Sequence, residues 1–161
     1  SNCREKYPIR DYTGRFVDDD VRAAAETDSV DVERLSALIG IGHGPANIVV
    51  GGPAAAEADR IAALLEDVEV VALVDGAAPA GFSPGVSRLV VGDTLPIATG
   101  RIAGVGLTGP VADRLLEVGS RVLSPVGRLV LEPVPAKAAE RIGSVGLRIA
   151  AQEGATAVAV R

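Results

Sequence analysis

Tryptophan and methionine are absent, cysteine occurs once, and the only aromatic residues are two tyrosines and two phenylalanines. Each scarcity closes off a class of function. The lone Cys3 can form no internal disulfide and cannot build a thiolate zinc cage. Tyr7, Tyr12, Phe16 and Phe82 are too few to serve as stacking platforms for a single nucleic-acid strand. A formal net charge of -5 leaves no electrostatic footprint for nucleic acid or for an anionic membrane surface. Asp18, Asp19 and Asp20 form the one notable run of charge, which reads as a solvated face. No stretch reaches the roughly 18 uninterrupted apolar residues of a membrane span. No basic segment followed by an apolar one opens the chain. A soluble, cytoplasmic protein is expected. Ser1-Asn2 has the look of a pair left by tag cleavage, so residues of the natural chain, methionines among them, are expected to lie outside this sequence.

What is present is aliphatic. The 161 residues are 48% hydrophobic, mostly Val, Leu, Ile and Ala. That suits one compact α/β sandwich with a short segment in front of it. Residues 1–27 are polar and irregular, with little to bury. Residues 28–40 read as a helix: Asp28 or Ser29 can cap it, Val32, Leu35, Leu38 and Ile39 form its stripe, and Gly40 can end it. Residues 40–45, G-I-G-H-G-P, then read as a flexible connector. Their G-x-G-x-G spelling follows a helix and precedes a strand, whereas a phosphate cradle needs strand, loop, helix. His43, the only histidine, reads as a solvated loop residue.

From Asn47 onward the pattern alternates. Strands are expected at residues 48–50, 68–74, 88–91, 102–107, 128–132, 147–150 and 157–160. Helices are expected at 54–65, 111–123 and 136–142. Apolar runs without polar alternation imply a parallel sheet covered on both faces. Glu153-Gly154-Ala155 is too short for a crossover helix, so the last two strands must pair antiparallel. The expected fold is a three-layer Rossmann-like sandwich, a mostly parallel seven-stranded sheet closed by an antiparallel C-terminal hairpin.

Three strings in this order carry a family resemblance. V-V-G-D-T-L-P-I-A-T-G-R-I-A-G-V-G-L-T-G spans residues 90–109, R-V-L-S-P-V-G-R-L-V-L-E-P-V-P spans 121–135, and the tail reads G-L-R-I-A-A-Q-E-G-A-T-A-V-A-V. Together they resemble class I S-adenosylmethionine-dependent methyltransferases over about 115 residues. C-R-E-K-Y-P-I-R-D, residues 3–11, resembles the later part of a zinc-ribbon-like domain of the tRNA-methyltransferase activator type, without that module's other cysteines. The domain division expected is therefore 1–27, a remnant of such a module, and 28–161, a methyltransferase-like Rossmann domain with its leading helix.

The resemblance implies a cofactor, S-adenosylmethionine, at the carboxyl ends of the parallel strands. Gly51 and Gly52 after the first strand would let its methionine part approach. Asp75, ending the second strand, would accept both ribose hydroxyls. Asp93, ending the third, would face the adenine amino group, with Thr94 and Leu95 beside it. The first motif is eroded: V-V-G-G-P-A-A has neither the usual acid nor a third glycine, and Pro53 has no amide to donate. After the fourth strand, Leu107-Thr108-Gly109-Pro110 offers no histidine or carboxylate as a base. No catalytic residue is assigned, and no metal-ligand spacing appears. The leading expectation is a methyltransferase-like domain acting on a small molecule. The alternative is a non-catalytic structural or interaction protein that keeps the fold and dimerises. A nicotinamide-nucleotide protein ranks third, because G-x-G-x-x-G is absent after the first strand. Expected partners are thus a small molecule, another protein or a second copy of the chain.

Overall fold

A computed structural model describes residues 9–10, 12–16, 29–74 and 81–161. In chain order the elements are β1 (Ile9–Arg10), β2 (Thr13–Arg15), α1 (Val32–Ile39), β3 (His43–Gly51), α2 (Pro53–Ala56), α3 (Ala58–Ala63), β4 (Glu66–Val74) and β5 (Val86–Val90). There follow β6 (Ile102–Thr108), α4 (Val111–Arg114), α5 (Leu116–Val122), β7 (Leu123–Glu132), α6 (Ala138–Ser144), β8 (Arg148–Glu153) and β9 (Thr156–Val160). The strands form one sheet in the order β1-β2-β5-β4-β3-β6-β7-β9-β8. Strands β3 to β7 pair parallel with their neighbours among themselves. The hairpin β8–β9 closes the sheet antiparallel against β7. All seven expected strands are present, in a mostly parallel α/β sheet closed by an antiparallel hairpin.

The central strands are buried on both faces, as their largely apolar runs imply. Alternate residues of β3 show the division. Ile48 and Val50 join α1, α2 and α3 in one core, whereas Val49 joins α4, α5 and α6 in the other. Helix α1 begins later than expected, because Asp31 is its cap: its side chain accepts from the Arg34 amide at 2.9 Å. Asp28 lies outside the described residues, and Ser29 precedes the helix. Gly40 ends it in the left-handed region, φ 75°. The helix expected at 54–65 is two, divided at Glu57, and the one at 111–123 is divided at Leu115.

Three further differences concern strands. Residues 43–45 are no connector: His43 pairs with Glu66 as β3 begins. Gly44 must be glycine there, since a Cβ would fall 1.6 Å from the Asp67 carbonyl oxygen. Strand β7 begins at Leu123 rather than at 128, and its register with β6 shifts between Ile102 and Gly104. The segment 1–27, read as irregular, supplies β1 and β2, so the sheet has nine strands: β2 lies parallel to β5 and β1 folds back on β2. Cys3 and the run Asp18 to Asp20 lie outside the described residues.

A buried cation ties α3 to the sheet. Arg88 of β5 is 5% exposed, and its Nη2 donates to both carboxylate oxygens of Asp59 at 2.8 and 3.0 Å. Removing only the acid leaves the buried guanidinium without its counter-charge, with only long bonds to the Gly81 carbonyl and Ser83 Oγ at 3.4 Å, whereas removing the cation leaves an acid that water can reach. Asp59→Ala is therefore expected to cost about 2 kcal/mol, a figure reduced from the fully buried case because Asp59 is half-exposed. Arg88→Met should cost under about 1 kcal/mol. Urea unfolding of the two variants checks the asymmetry, and equal losses would contradict it.

Candidate functional site

The chain runs outward from β3 through β4 to β5, then returns to the other side of β3 with β6. Strand order therefore reverses between β3 and β6. The crevice at the carboxyl ends of the strands beside such a reversal is where α/β sheets take their ligands. The groups there are the turn Gly51-Gly52-Pro53 after β3, residues 92–95 after β5, and Thr108-Gly109 at the end of β6.

The glycine turn is held shut against β6 by one side chain. Thr108 is 4% exposed. Its Oγ1 donates to the Gly51 carbonyl at 2.9 Å and accepts from the Ala54 amide at 2.9 Å. That satisfies one of the open amides at the start of α2. Gly52 adopts φ 72°, ψ −147°, a region that is essentially glycine-only. The space where its side chain would stand is taken by protein: a Cβ would lie 1.9 Å from the Thr108 carbonyl oxygen and 2.9 Å from Val111 Cγ1. At Gly51 the corresponding direction meets Leu107 and Val111 at 3.2 and 3.3 Å. On the side a Cβ would occupy, the two glycines therefore allow close packing of the strand end against β6 and α4. Thr108, which the sequence marked only as lacking a base, is the organising residue of this turn.

The β5 side is more open. Asp93 keeps 85% of its side chain exposed and lies 3.7 Å from Arg114 Nη1, which donates to the Gly92 carbonyl at 2.9 Å. Thr94 is exposed as well. Leu95 differs from both, being 5% exposed within the core under α4 and α5. No helix spans residues 91–101. Arg121 holds this stretch instead, donating to the carbonyls of Leu95 and Ile97 and to Thr99 Oγ1 at 3.1, 3.3 and 3.2 Å. Asp75, next in sequence after β4, lies outside the described residues. Arg114 and Arg121 have no distinguishing sequence signal. Each is one arginine of a helix until the fold brings it to this loop.

Other polar groups lie elsewhere. At the opposite, amino end of the strands an open groove of about 510 Å³ is lined by Asn47, Asp67, Glu69 and Pro84 among others. His43 is exposed at that end too. Hydrogen bonds from Arg141 hold the Glu117 carboxyl below the usual carboxylate range against an opposing effect of burial, and the Arg141 guanidinium is raised in turn by Glu117 and Asp113. This trio joins α4, α5 and α6 on the outside of the sandwich. Among the described residues no cluster of three or more His, Cys, Asp or Glu could hold a metal. No helix among them is long and apolar enough to cross a membrane.

Comparison with solved structures identifies the same architecture in methyltransferases. The Haloferax volcanii methyltransferase solved in complex with the Trm112 methyltransferase activator superposes with a TM-score of 0.60 at 16% identity, over 75% of this chain and 69% of that one. A TehB-like SAM-dependent methyltransferase from Corynebacterium glutamicum gives 0.57 at 20% identity, over 83% and 89%. A SAM-dependent methyltransferase from Aquifex aeolicus gives 0.55 at 11% identity, over 80% and 88%. No protein-family model matches the sequence, and no curated protein matches it significantly. At these identities the likeness is one of fold.

Proposed function

We propose that this chain is a methyltransferase-like domain that binds S-adenosylmethionine from its nucleoside side and serves a small-molecule acceptor. The observation that carries the reading is the strand order, which sets the ends of β3, β4 and β5 side by side next to the reversal at β6. In this reading Asp75 takes the ribose hydroxyls, and Asp93 with Thr94 faces the adenine. Leu95 roots their loop in the core, and the backbone of Gly51 and Gly52 meets the methionine part. The glycine side fits the cofactor poorly, since Thr108 and Val111 fill the space at Gly52. Binding then rests on the carboxylates. The bound cofactor would supply an electrophilic sulfonium methyl. The end of β6 brings Thr108 and no acid or histidine of its own, and in this reading the acceptor arrives already nucleophilic. The net charge of -5 favours a small molecule over nucleic acid.

A protein contact belongs to the same reading. The Haloferax neighbour is paired with an activator, and residues 3–11, within the segment 1–27, resemble part of such a module. We read the segment as its remnant acting within the chain, supported by the parallel pairing of β2 with β5. Residues 28–161 then form the methyltransferase-like domain proper. A second reading, a non-catalytic protein keeping the fold, is favoured by the Thr108 seal on the glycine turn.

Calorimetry and thermal unfolding with S-adenosylhomocysteine test the proposal. A ligand at 100 times its dissociation constant stabilises by about 2.7 kcal/mol. Asp75→Ala should abolish that gain and Asp93→Ala should reduce it. Neither heat nor stabilisation at millimolar S-adenosylhomocysteine would refute cofactor binding. Binding without methyl transfer to any acceptor tried would favour the second reading.

A further inference from the structure

Among the described residues, strand β8 is the last strand of the sheet, beyond β9. Its residues are exposed except Ile149, which is half-buried. Such an edge presents unpaired backbone groups and is usually blunted by proline, lysine or a covering loop. R-I-A-A-Q-E contains no proline and no lysine, and its centre is two alanines. Charge of opposite sign stands at its two ends.

A bulge decides what this edge can pair with. Arg148 and Ile149 stand opposite Val160 and Ala159, whereas Ala151, Gln152 and Glu153 stand opposite Val158, Ala157 and Thr156. Ala150 is thus the extra residue. Opposed residues share a face of the sheet. Ile149 therefore faces the core that holds Ala159. Ala151 faces the other core, against which Val158 packs. Arg148, opposite Val160, and Glu153, opposite Thr156, lie on that same second face, the face of α1, whose Arg34 bonds Thr156 and stands 3.9 Å from the still exposed Glu153 carboxylate. In a regular strand two residues five apart would point to opposite faces. The bulge places the terminal cation and the terminal anion together.

We propose that β8 is a homodimer edge, pairing antiparallel with β8 of a second copy about a two-fold axis normal to the sheet between Ala150 and Ala151. Arg148 of each copy then stands opposite Glu153 of the other, and Ile149 opposite Gln152. Both pairs match in face only because of the bulge. Two ion pairs flank a centre of alanines, whose small side chains let the backbones approach. The interface is self-complementary, as a two-fold contact must be, and the two sheets become one. This specifies the dimer of the interaction-protein reading and does not depend on cofactor binding.

Sedimentation of the full chain from low micromolar to hundreds of micromolar tests it, with charge reversal as the diagnostic. The unaltered chain should self-associate to a dimer. Arg148→Glu sets like charges opposite each other and should weaken the dimer at least about tenfold. The double variant Arg148→Glu/Glu153→Arg should regain it, because both pairs are restored with reversed sign. Circular dichroism of each variant confirms that the exposed substitutions leave the fold intact. A chain that stays monomeric throughout, a dimer indifferent to Arg148→Glu, or a double variant as weak as the single one would overturn the proposal.

Discussion

Gly52→Ala is expected to remove about 4 kcal/mol of stability, from two causes that add. The first is conformational: φ 72° with ψ −147° excludes a side chain on steric grounds before any neighbour is counted. The second is the neighbour, since the new methyl group would fall 1.9 Å from a backbone oxygen of β6, which no rotamer change can relieve. Moving the turn away would break both bonds of Thr108 to residues 51 and 54. At roughly 2–4 °C per kcal/mol for a domain of this size, the midpoint should fall on the order of 10 °C. Gly51→Ala is the informative partner. Its methyl would meet the movable ends of Leu107 and Val111 at 3.2 and 3.3 Å, for a cost of about 1 kcal/mol. Thermal unfolding of both separates the positions, and a Gly52→Ala protein as stable as Gly51→Ala would show the turn to be looser than described. Any ligand lost with Gly52→Ala is therefore ambiguous, while a ligand lost with Gly51→Ala in a folded protein bears on the site itself.

Why the strands were legible and the site was not follows from the range of the interactions. Residues 70–74 and 102–107 carry no charged or polar side chain, as a strand buried on both faces requires, and the expected strands 68–74 and 102–107 match β4 and β6 to within two residues. The antiparallel hairpin followed from the shortness of the turn at Gly154. Residues 43–45 carried no such signal: a histidine, a glycine and a proline read as a loop, and only the close approach of Asp67 makes glycine necessary inside β3. Strands β1 and β2, of two and three residues, are too short to show periodicity. At the site, the positions of Gly51, Gly52, Asp93 and Thr94 at strand ends could be read from the chain. What surrounds them could not. Thr108 acts on partners 54 and 57 residues away, and Arg114 comes to Asp93 across 21. Leu95 looked like a neighbour of Asp93 suited to a ligand. The loop turns it into the core under α4 and α5, which only the fold reveals.

Thr108→Val is expected to cost about 3 kcal/mol, although it preserves shape and removes only a hydroxyl. Loss of Oγ1 leaves the Gly51 carbonyl and the Ala54 amide without this partner, in a place that is 4% exposed at residue 108 and where water cannot substitute. Each buried group left unsatisfied costs roughly 1–3 kcal/mol, and the valine gains nothing comparable, since the methyl groups of both residues face the same packed surroundings. Thr108→Ser keeps the oxygen and loses one methyl group, so its cost should stay near 1 kcal/mol. Urea unfolding of the pair isolates the hydrogen bonds from the packing. A valine variant no less stable than the serine variant would mean that the hydroxyl does not hold the turn, and the case for a sealed glycine cradle would go with it. The expected order, serine well above valine, would mean that Thr108 keeps the first turn of this fold shut through its own side chain. A cofactor would then be gripped from the β5 side, where Asp93 is exposed.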